Sequence, residues 1–401
     1  MAETGPPSRA DRPRTVAIVS SIAYSIANFR GPLIEALVAR GVRVVALAPD
    51  HDDKTKAAVR RLGAEPLDVS FERTGMRPLR DARDTVKLAR QLRRLNVDAV
   101  FCYFIKPVIY GSMAAKWAGV KLRIASVEGL GYVFTLPPGR RSWKRLLLRA
   151  LVSRLYRAAF GVCHRVYFLN VDDRAEFVGR RLIDPAKTRL IAGTGVDLED
   201  YAPAPPVESP VTFLLMGRLL REKGIGEYVE AARRVRAACP DARFLLLGGF
   251  DPNPGGFGRA EVERWVADGI VEWRGHVDDV RPWIAASSVY VLPSYREGKP
   301  RSTQEAMAMA RPIITTDAPG CRDTVIDGVN GFLVPVRDAG ALAAAMKRFI
   351  DDPALIARMG RESRALAEAR FDVREINAEL LAVLGVADQP GPAPAIVSGG
   401  R

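Results

Sequence analysis

The stretch from Val289 to Ala318, VYVLPSYREGKPRSTQEAMAMARPIITTDA, contains the pattern that decides the fold. It begins with one apolar run, VYVLPS, and ends with another, PIITTDA, and a helix-forming segment lies between them. Apolar runs without polar alternation are typical of strands buried on both faces, and a helix between two such strands predicts a parallel sheet. The stretch therefore predicts a strand-helix-strand unit of an α/β protein.

The same alternation recurs along most of the chain and predicts two doubly wound, Rossmann-like domains. Two such domains in tandem form a cleft at the carboxyl ends of their strands, where α/β proteins bind ligands. The predicted strands of the first domain are TVAIVSS, VRVVALAP, AEPLDVSF, VDAVFCYF, LRIASVEG and RVYFLN; those of the second are VTFLLMG, ARFLLLGGF, IVEWRGHV, VYVLPS, PIITTDA and GFLVP.

Breaks in this alternation give the domain boundaries. The proline-rich segment YAPAPPVESP supports neither a helix nor a central strand, so it predicts a linker. The polar chain ends predict disorder. The predicted organisation is disorder at 1–13, an N-terminal Rossmann-like domain at 14–200, a linker at 201–210, a C-terminal Rossmann-like domain at 211–371, a helix at 372–386 and a disordered tail at 387–401.

Composition limits the classes of partner. The 401 residues include 60 Lys and Arg against 46 Asp and Glu, which gives a net charge of +14 and favours nucleic acid, a membrane surface or a phosphorylated substrate. Four scattered cysteines predict neither a zinc site nor a disulfide framework. Without a signal-peptide core or a long apolar run, the sequence predicts a cytoplasmic protein that does not span a membrane.

A cationic loop follows the first strand of the second domain. In GRLLREKG, Gly217 and Arg218 begin a strand-to-helix turn, and Lys223 lies at its end. Two cations and free backbone N–H groups at a helix N-terminus suit a diphosphate. The alternative is that both cations are solvated surface residues.

An acidic loop follows the fourth strand of the same domain. Glu297 precedes a predicted helix, and Glu305 lies about two turns into it. A carboxylate at this place can accept two vicinal hydroxyls, while backbone N–H groups from Gly298 to Arg301 can face phosphate oxygens. These features suggest a sugar nucleotide. The alternative is that both glutamates are exposed and favoured only by the helix dipole.

Together these motifs resemble a known family. GRLLREKG, LLLGGFDPN, LPSYREGKPRSTQEAMAMARPIITTDAPGCRD and DGVNGFLVP are similar to the retaining GT-B glycosyltransferases of family four, also called group 1, over about Thr15 to Leu384. In the first half, IKPVIYGSMAAKWAGVKLRIASVEGLG resembles bacterial N-acetylgalactosaminyltransferases that extend sugars on undecaprenyl diphosphate. The resemblance implies a UDP-sugar donor and a polyprenyl-diphosphate-linked sugar acceptor.

The resemblance also implies roles for individual residues. Arg218 and Lys223 would hold the diphosphate and stabilise its growing charge. Glu297 would hydrogen-bond the donor sugar and Glu305 the ribose, and no metal or cofactor would be needed. The residues implied for catalysis are Arg218, Lys223 and Glu297, and those implied for donor binding are Gly217, Gly249, Phe250, Gly298, Lys299, Pro300, Arg301 and Glu305.

The only sequence resembling a metal-binding motif lies after the second strand. Asp50, His51, Asp52 and Asp53 could in principle ligate a divalent cation. Because they stand at a predicted helix start, where aspartate is favoured as a cap, capping is the preferred interpretation.

The first domain departs from the family pattern at two loops. The first loop has no glycine until Gly31, and FCYFIKPVIYG lacks the histidine that relatives often place after the fourth strand. Lys106 is the predicted substitute, Arg30 near a helix start is a candidate for the acceptor diphosphate, and Glu128 is a candidate for acceptor hydroxyls. The alternatives are a surface arginine at Arg30 and a strand-end cap at Glu128.

A basic segment follows in GRRSWKRLLLRALVSRLYRAAFG, which contains no acidic residue. Leucines at helical spacing flanked by arginines predict an interfacial helix on an anionic membrane, peripheral on the inner face of the cytoplasmic membrane. The alternative is a domain helix whose leucines face the core. The residues predicted to meet the membrane are Arg141, Trp143, Lys144, Arg145 and Arg149.

Three other functions fit the sequence less well. A GT-B UDP-sugar epimerase would need acid and base side chains that the expected loops lack. A nucleic-acid-binding protein would show clustered cations with exposed aromatic residues or a known binding module, and neither is evident. A nicotinamide-dependent oxidoreductase is disfavoured because no strand is followed by G-x-G-x-x-G.

Overall fold

A computed structural model describes residues 13–71, 77–130, 143–251, 253 and 255–386, without the side chains of 143–146. Two parallel sheets organise these residues, one of seven strands and one of six. The α/β prediction with two Rossmann-like sheets is therefore confirmed.

The seven-stranded sheet has the order β3-β2-β1-β4-β5-β6-β7. Its last strand was not predicted, because it has only three residues, TRL, of which two are exposed. The strands are β1 Thr15–Val19, β2 Arg43–Ala48, β3 Glu65–Asp68, β4 Ala99–Tyr103, β5 Leu122–Val127, β6 Arg165–Phe168 and β7 Thr188–Leu190. The helices are α1 Ala23–Ala39, α2 Asp53–Arg61, α3 Pro78–Arg94, α4 Ser112–Ala118, α5 Trp143–Val162 and α6 Val171–Gly179.

The six-stranded sheet has the order β10-β9-β8-β11-β12-β13. Its strands are β8 Thr212–Met216, β9 Arg243–Leu247, β10 Glu272–Trp273, β11 Val289–Leu292, β12 Ile313–Thr316 and β13 Gly331–Val334. Its helices are α7 Ile225–Ala238, α8 Arg259–Ala267, α9 Arg281–Ala285, α10 Arg301–Ala308, α11 Ala339–Asp351 and α12 Ala354–Arg370. The last described helix is α13 Val373–Val383.

The apolar strands of the second sheet are buried on both faces. Phe213 and Leu215 of β8 point into one hydrophobic cluster, whereas Leu214 and Met216 point into another on the opposite face. The ring of Phe213 stacks on that of Phe244 in β9, with centroids 5.3 Å apart. Because successive side chains of a strand alternate between faces, a strand covered on both sides must be apolar throughout.

The described residues divide into two compact units, one within 13–102, 110–124 and 377–386 and the other within 103–109 and 125–376. Strands β1 to β3 lie in the first unit and strands β6 to β13 in the second. Helix α13 begins in the second unit and ends in the first.

The segment at 202–208 is neither helix nor strand. One buried side chain, that of Arg311, hydrogen-bonds to its backbone. Arg311 donates from Nη2 to the carbonyl of Pro205 at 2.8 Å and from Nε to the carbonyl of Ile284 at 2.9 Å. Burial lowers the pKa of Arg311 to about 10. Because the carbonyl dipoles solvate the guanidinium, this segment is tied to helix α9.

No helix of the described chain combines the length and apolar composition that a bilayer crossing requires.

A glycine at the entrance of α7 provides a test of how the cationic loop is positioned. Gly224 has a φ of +71°, and a Cβ there would lie 2.1 Å from the carbonyl oxygen of Pro293. Gly269 has a similar φ of +67° with nothing within 4 Å of a built Cβ. We expect Gly269→Ala to lower the free energy of unfolding by about 1 kcal/mol, from backbone strain alone.

We expect Gly224→Ala to lower the free energy of unfolding by at least about 1 kcal/mol more than Gly269→Ala does, because the loop carrying Lys223 must also move. Urea unfolding of both variants measures the difference. Equal losses would contradict the close approach of Gly224 to Pro293.

Candidate functional site

Two neighbouring strands bring the predicted cationic and acidic loops together. Strands β8 and β11 are adjacent and parallel, so the loops after them leave the same edge of the sheet. There the Nζ of Lys223 lies 2.5 Å from Oε1 of Glu297, and both side chains are largely buried. The sequence predicted both residues but not that they form an ion pair with each other.

Arg218 is held by a carboxylate that the sequence analysis missed. Its Nη1 donates to Oδ2 of Asp251, whose side chain is buried, while about half of the Arg218 side chain is exposed. The backbone N–H of Asn253 donates to the other oxygen of Asp251 at 3.0 Å. Asp251 therefore orients one guanidinium edge and leaves the rest of the group accessible.

The signal for Asp251 was present in the quoted motif LLLGGFDPN, where it directly follows Phe250. Phe250 packs edge to face on Trp273, with ring centroids 5.2 Å apart. The carbonyl of Gly249 accepts the N–H of Leu219 at 3.0 Å. These contacts fix the turn after β9 beside the turn after β8.

Glu305 lies closer to the helix start than predicted. Helix α10 begins at Arg301, so Glu305 is its fifth residue, about one turn into the helix rather than two. Its Oε1 accepts hydrogen bonds from Nε of Arg301 at 2.8 Å and from the hydroxyl of Tyr201 at 3.2 Å. Burial and the neighbouring Glu305 raise the pKa of Tyr201, which therefore stays a donor.

Pro300 occupies the cap position before α10 and has extended backbone, so the helix cannot begin earlier. Lys299 just before it is largely buried, with Nζ 3.5 Å from Oδ2 of Asp323. Burial lowers the pKa of Lys299, and Asp323 opposes that effect. Lys299 thus packs beneath the acidic loop, and its contact with the donor sugar nucleotide stays a prediction.

Gly298 is required by a close backbone approach. A Cβ at this position would lie 2.3 Å from the carbonyl oxygen of Glu128. Glycine is the only residue that avoids this clash without moving the backbone. The main chain of Glu128, a predicted acceptor residue, therefore lies against the acidic loop, and its side chain is half-buried.

The first turn of α6 also holds the acidic loop. Asn170, the N-cap of α6, donates from Nδ2 to the carbonyls of Gly298 at 2.7 Å and Glu297 at 3.4 Å. Its Oδ1 accepts the N–H of Asp173 at 2.7 Å. One amide side chain thus caps a helix and fixes the backbone of a predicted catalytic residue.

Asp173 adds an ion pair to this contact. Its fully buried carboxylate accepts Nη2 of Arg296 at 2.5 Å and Nε at 3.2 Å. Burial raises the pKa of Asp173, and the Arg296 guanidinium opposes that effect. Neither residue was predicted from the sequence. The local signal was an asparagine cap followed by acidic residues, which predicts a helix start but not its distant partner.

Lys106 follows β4, just before a π-helical turn at Pro107–Gly111, and is buried. A buried ammonium suits an anionic ligand, and its predicted role stays a prediction.

The predicted surroundings of Arg30 were wrong. Because α1 begins at Ala23, Arg30 is the eighth residue of the helix and not a helix-start residue. It is 2% exposed, so the surface alternative is excluded, and its guanidinium lies 5.1 Å from the ring centroid of Phe101. The structure places Arg30 in the first compact unit.

The capping interpretation of the acidic run is confirmed. Oδ1 of Asp50 accepts the N–H of Ala23 at the start of α1, at 2.6 Å. Asp52 is the N-cap of α2 and accepts the N–H of Thr55 at 2.8 Å. Across the described residues, no cluster of three or more His, Cys, Asp or Glu side chains is arranged to hold a metal.

The basic segment forms α5, and part of its prediction lies outside the described residues: Arg141, and the side chains of Trp143, Lys144 and Arg145. The positive charge of Arg149 has an acidic partner, because its Nη2 lies 3.3 Å from Oε1 of Glu176. Leu147 and Leu151 are 59% and 41% exposed, so these leucines do not face the core. The core-facing residues of α5 are instead Val152, Tyr156, Ala159 and Phe160.

Comparison with known proteins finds one family match in each half of the chain. The family described as Glycosyltransferase Family 4 matches residues 32–200, and that described as Glycosyl transferases group 1 matches residues 210–352.

Two curated relatives resemble the chain over most of its length. One is an N,N'-diacetylbacillosaminyl-diphospho-undecaprenol alpha-1,3-N-acetylgalactosaminyltransferase of Campylobacter jejuni, 28% identical, with 85% of this chain and 90% of the relative covered. The other is a UDP-Gal:alpha-D-GlcNAc-diphosphoundecaprenol alpha-1,3-galactosyltransferase of Escherichia coli, 26% identical, with 69% and 72% covered.

Solved structures share the fold. Sucrose-phosphate synthase from Thermosynechococcus elongatus superposes with a TM-score of 0.73 at 21% identity, covering 92% of this chain and 97% of its own. Anabaena HepE, solved with UDP and glucose, gives a TM-score of 0.71 at 18% identity, covering 93% and 99%.

The contact between α6 and the acidic loop predicts a local effect of Asn170→Ala. The matched control is Asp338→Ala, which removes the N-cap of α11, where Oδ1 accepts the N–H of Ala341 at 2.8 Å. Each change should lower the free energy of unfolding by about 1 kcal/mol through loss of a cap.

Only Asn170→Ala should also speed hydrogen exchange of the amides at 296–299, because the carbonyls of Glu297 and Gly298 lose their donor. Exchange read by mass spectrometry distinguishes the two variants. Unchanged protection of 296–299 in Asn170→Ala would show that the loop does not depend on Asn170.

Proposed function

Because this chain belongs to the group 1 and family 4 glycosyltransferases of GT-B fold, we propose that it moves a hexose or N-acetylhexosamine from a UDP-sugar to a polyprenyl-diphosphate-linked sugar in surface polysaccharide or glycan assembly. The Lys223–Glu297 pair at the carboxyl edge of the second sheet is the observation that carries the site assignment. The names of two relatives support a diphospho-undecaprenol-linked acceptor.

The donor diphosphate would lie against Arg218 and Lys223. Both cations are fixed by carboxylates, Asp251 and Glu297, so their positions need little reorganisation when an anion arrives. As the bond between the sugar and the phosphate breaks, negative charge grows on the leaving UDP. Cations preorganised at that point stabilise the transition state more than the ground state.

The two glutamates would bind the neutral parts of the donor. Glu305 already accepts Arg301 and Tyr201 with one oxygen, and its other oxygen can accept the ribose hydroxyls. Glu297 would accept a hydroxyl of the donor sugar while it keeps Lys223 in place. The turn at Gly249 and Phe250 would approach the nucleobase.

The reaction would retain the anomeric configuration without a protein nucleophile. The bond from the anomeric carbon to the phosphate oxygen breaks, and the acceptor oxygen bonds to that carbon from the same face. The acceptor hydroxyl proton passes to the leaving phosphate, so UDP carries away the proton and the electron pair. Arg218 and Lys223 supply positive charge at the diphosphate, which supports metal independence and the need for no cofactor.

The acceptor side would be formed by first-domain residues. Lys106, as a buried cation, suits the acceptor diphosphate, and Glu128, beside Gly298, suits acceptor hydroxyls. Arg30 stays an acceptor candidate from the sequence alone, because it lies within helix α1 and is buried against Phe101.

A transfer assay tests the proposed reaction. Purified protein would be mixed with a panel of UDP-sugars and a short-chain lipid-diphosphate sugar, with and without EDTA, and products read by mass spectrometry. We expect transfer from one UDP-hexose or UDP-N-acetylhexosamine at an equal rate in EDTA. Absence of transfer from every donor, despite UDP binding, would contradict the proposal, and loss of transfer in EDTA would contradict metal independence.

Substitutions separate the two halves of the donor site. We expect Lys223→Ala to lower kcat about 10²- to 10³-fold, because it removes charge stabilisation in the transition state. Glu305→Ala should mainly raise KM for the donor. Lys347→Ala on α11, where the exposed Lys347 pairs with Asp351, is the control and should change neither. Unchanged kinetics in either site variant would remove that assignment.

Helix α5 would meet an anionic membrane through its outward face, which would make the enzyme peripheral on the inner face of the cytoplasmic membrane. We expect Leu147→Gln/Leu151→Gln to bind phosphatidylglycerol vesicles more weakly, because the exposed leucines would enter the headgroup region. Val266→Gln on α8, also an exposed apolar residue, is the control. Equal sedimentation of wild type and the leucine variant would remove α5 from the membrane contact.

A further inference from the structure

The outward face of α3, in the first compact unit, combines cations with exposed apolar side chains. Leu79, Arg83, Val86 and Arg90 follow one another at intervals of four, three and four residues, so they form one stripe along the helix. Leu79 is 90% exposed and Val86 38%, and both arginines are exposed. Such apolar exposure on a helix that already packs on a core needs an explanation.

The acidic residues of α3 lie on its opposite face. Asp81 and Asp84 are 2% and 3% exposed. Asp84 accepts the hydroxyl of Ser70 at 2.6 Å, and Asp81 accepts the N–H of Arg77 at 3.1 Å. Because both carboxylates are turned inward, the outward face of α3 presents cations without an acidic side chain of its own helix.

Helix α4 extends this surface with an aromatic residue. Trp117 is 53% exposed, and its carbonyl accepts Nη2 of Arg93 at 2.6 Å, which fastens the end of α3 to α4. Lys116 beside it is also exposed. We name this surface the α3/α4 patch and define it by Leu79, Arg83, Val86, Arg90, Arg93, Lys116 and Trp117.

We propose that the α3/α4 patch docks on an anionic lipid surface. The cations would meet the headgroups, and Leu79, Val86 and the amphipathic ring of Trp117 would enter the boundary with the acyl chains. A nucleic acid fits less well, because Leu79 and Val86 offer no stacking face for bases and only Trp117 of the patch does. The biological role of this docking rests on the proposed function, since a lipid-linked acceptor is held at such a surface. Vesicle binding itself is measured without any sugar transfer.

The first experiment is sedimentation of the full chain with vesicles of phosphatidylethanolamine and phosphatidylglycerol, and with vesicles of phosphatidylcholine alone. We expect binding to the anionic vesicles that weakens with salt. Arg83→Gln/Arg90→Gln should lower the partition coefficient about tenfold or more, and Leu79→Gln/Val86→Gln should lower it by a similar factor. Both variants should keep the wild-type rate on a soluble short-chain acceptor and the wild-type Tm.

Matched controls separate the patch from overall charge and overall apolar exposure. Arg358→Gln/Arg361→Gln on α12 removes the same charge, and Ile326→Gln/Val329→Gln before β13 removes two apolar side chains that are each 41% exposed. Both controls should bind as wild type does. Equal binding by wild type and the patch variants, or equal loss in the controls, would overturn the proposal.

Two further readouts decide the occupant. Quenching of Trp117 fluorescence by brominated lipid should be present in wild type and reduced in Trp117→Phe; an unchanged signal would overturn the proposal. Patch-dependent binding of an RNA oligonucleotide tighter than that of vesicles would overturn the choice of lipid. If the transfer assay fails while the patch variants lose vesicle binding, the proposed reaction is wrong and the docking surface stands.

Discussion

The hydrogen bonds from Asn170 to the carbonyls of Glu297 and Gly298 are the constraint on which the site depends. They fix the backbone that carries Glu297, and the Asp173–Arg296 pair fixes the residue before it. Since Glu297 in turn holds Lys223, the place of the ammonium is set by the first turn of α6, far away in sequence. A charge positioned in this way before the ligand arrives is the physical basis of electrostatic catalysis.

Five described cations around the two loops each have a carboxylate partner, which gives the chain's net charge of +14 a more specific meaning. Partnered cations are oriented rather than merely abundant, and an arriving diphosphate can share them without unfolding the loop. The excess charge lies largely elsewhere, on exposed helix faces such as that of α3. The pairs at the site are Arg218–Asp251, Lys223–Glu297, Arg296–Asp173, Lys299–Asp323 and Arg301–Glu305.

Local sequence patterns predicted the buried strands and the loops that follow them. Strands such as β8 and β11 are apolar on both faces, and their buried character follows directly from that composition. The loops carrying Lys223 and Glu297 could be placed because parallel strands end at one edge. β7 was missed because three residues are too few to show a period. β10 is shorter than predicted, and Gly275, two residues after its end, has a φ of +71°, outside the extended region.

Long-range partners could not be predicted. Asp251 and Asn170 have ordinary local roles in a turn and a cap, Tyr201 lies in the predicted linker, and only the fold brings the three to the site. Burial of Arg30 could likewise not be predicted, because the helix begins at Ala23, seven residues before Arg30, and not close to it.

The most direct test of this account is a crystal structure of the protein with UDP. The account predicts diphosphate oxygens within hydrogen-bonding distance of Lys223 Nζ and the Arg218 guanidinium, and ribose hydroxyls on Glu305. A diphosphate bound away from both cations, with the Lys223–Glu297 pair untouched, would contradict it.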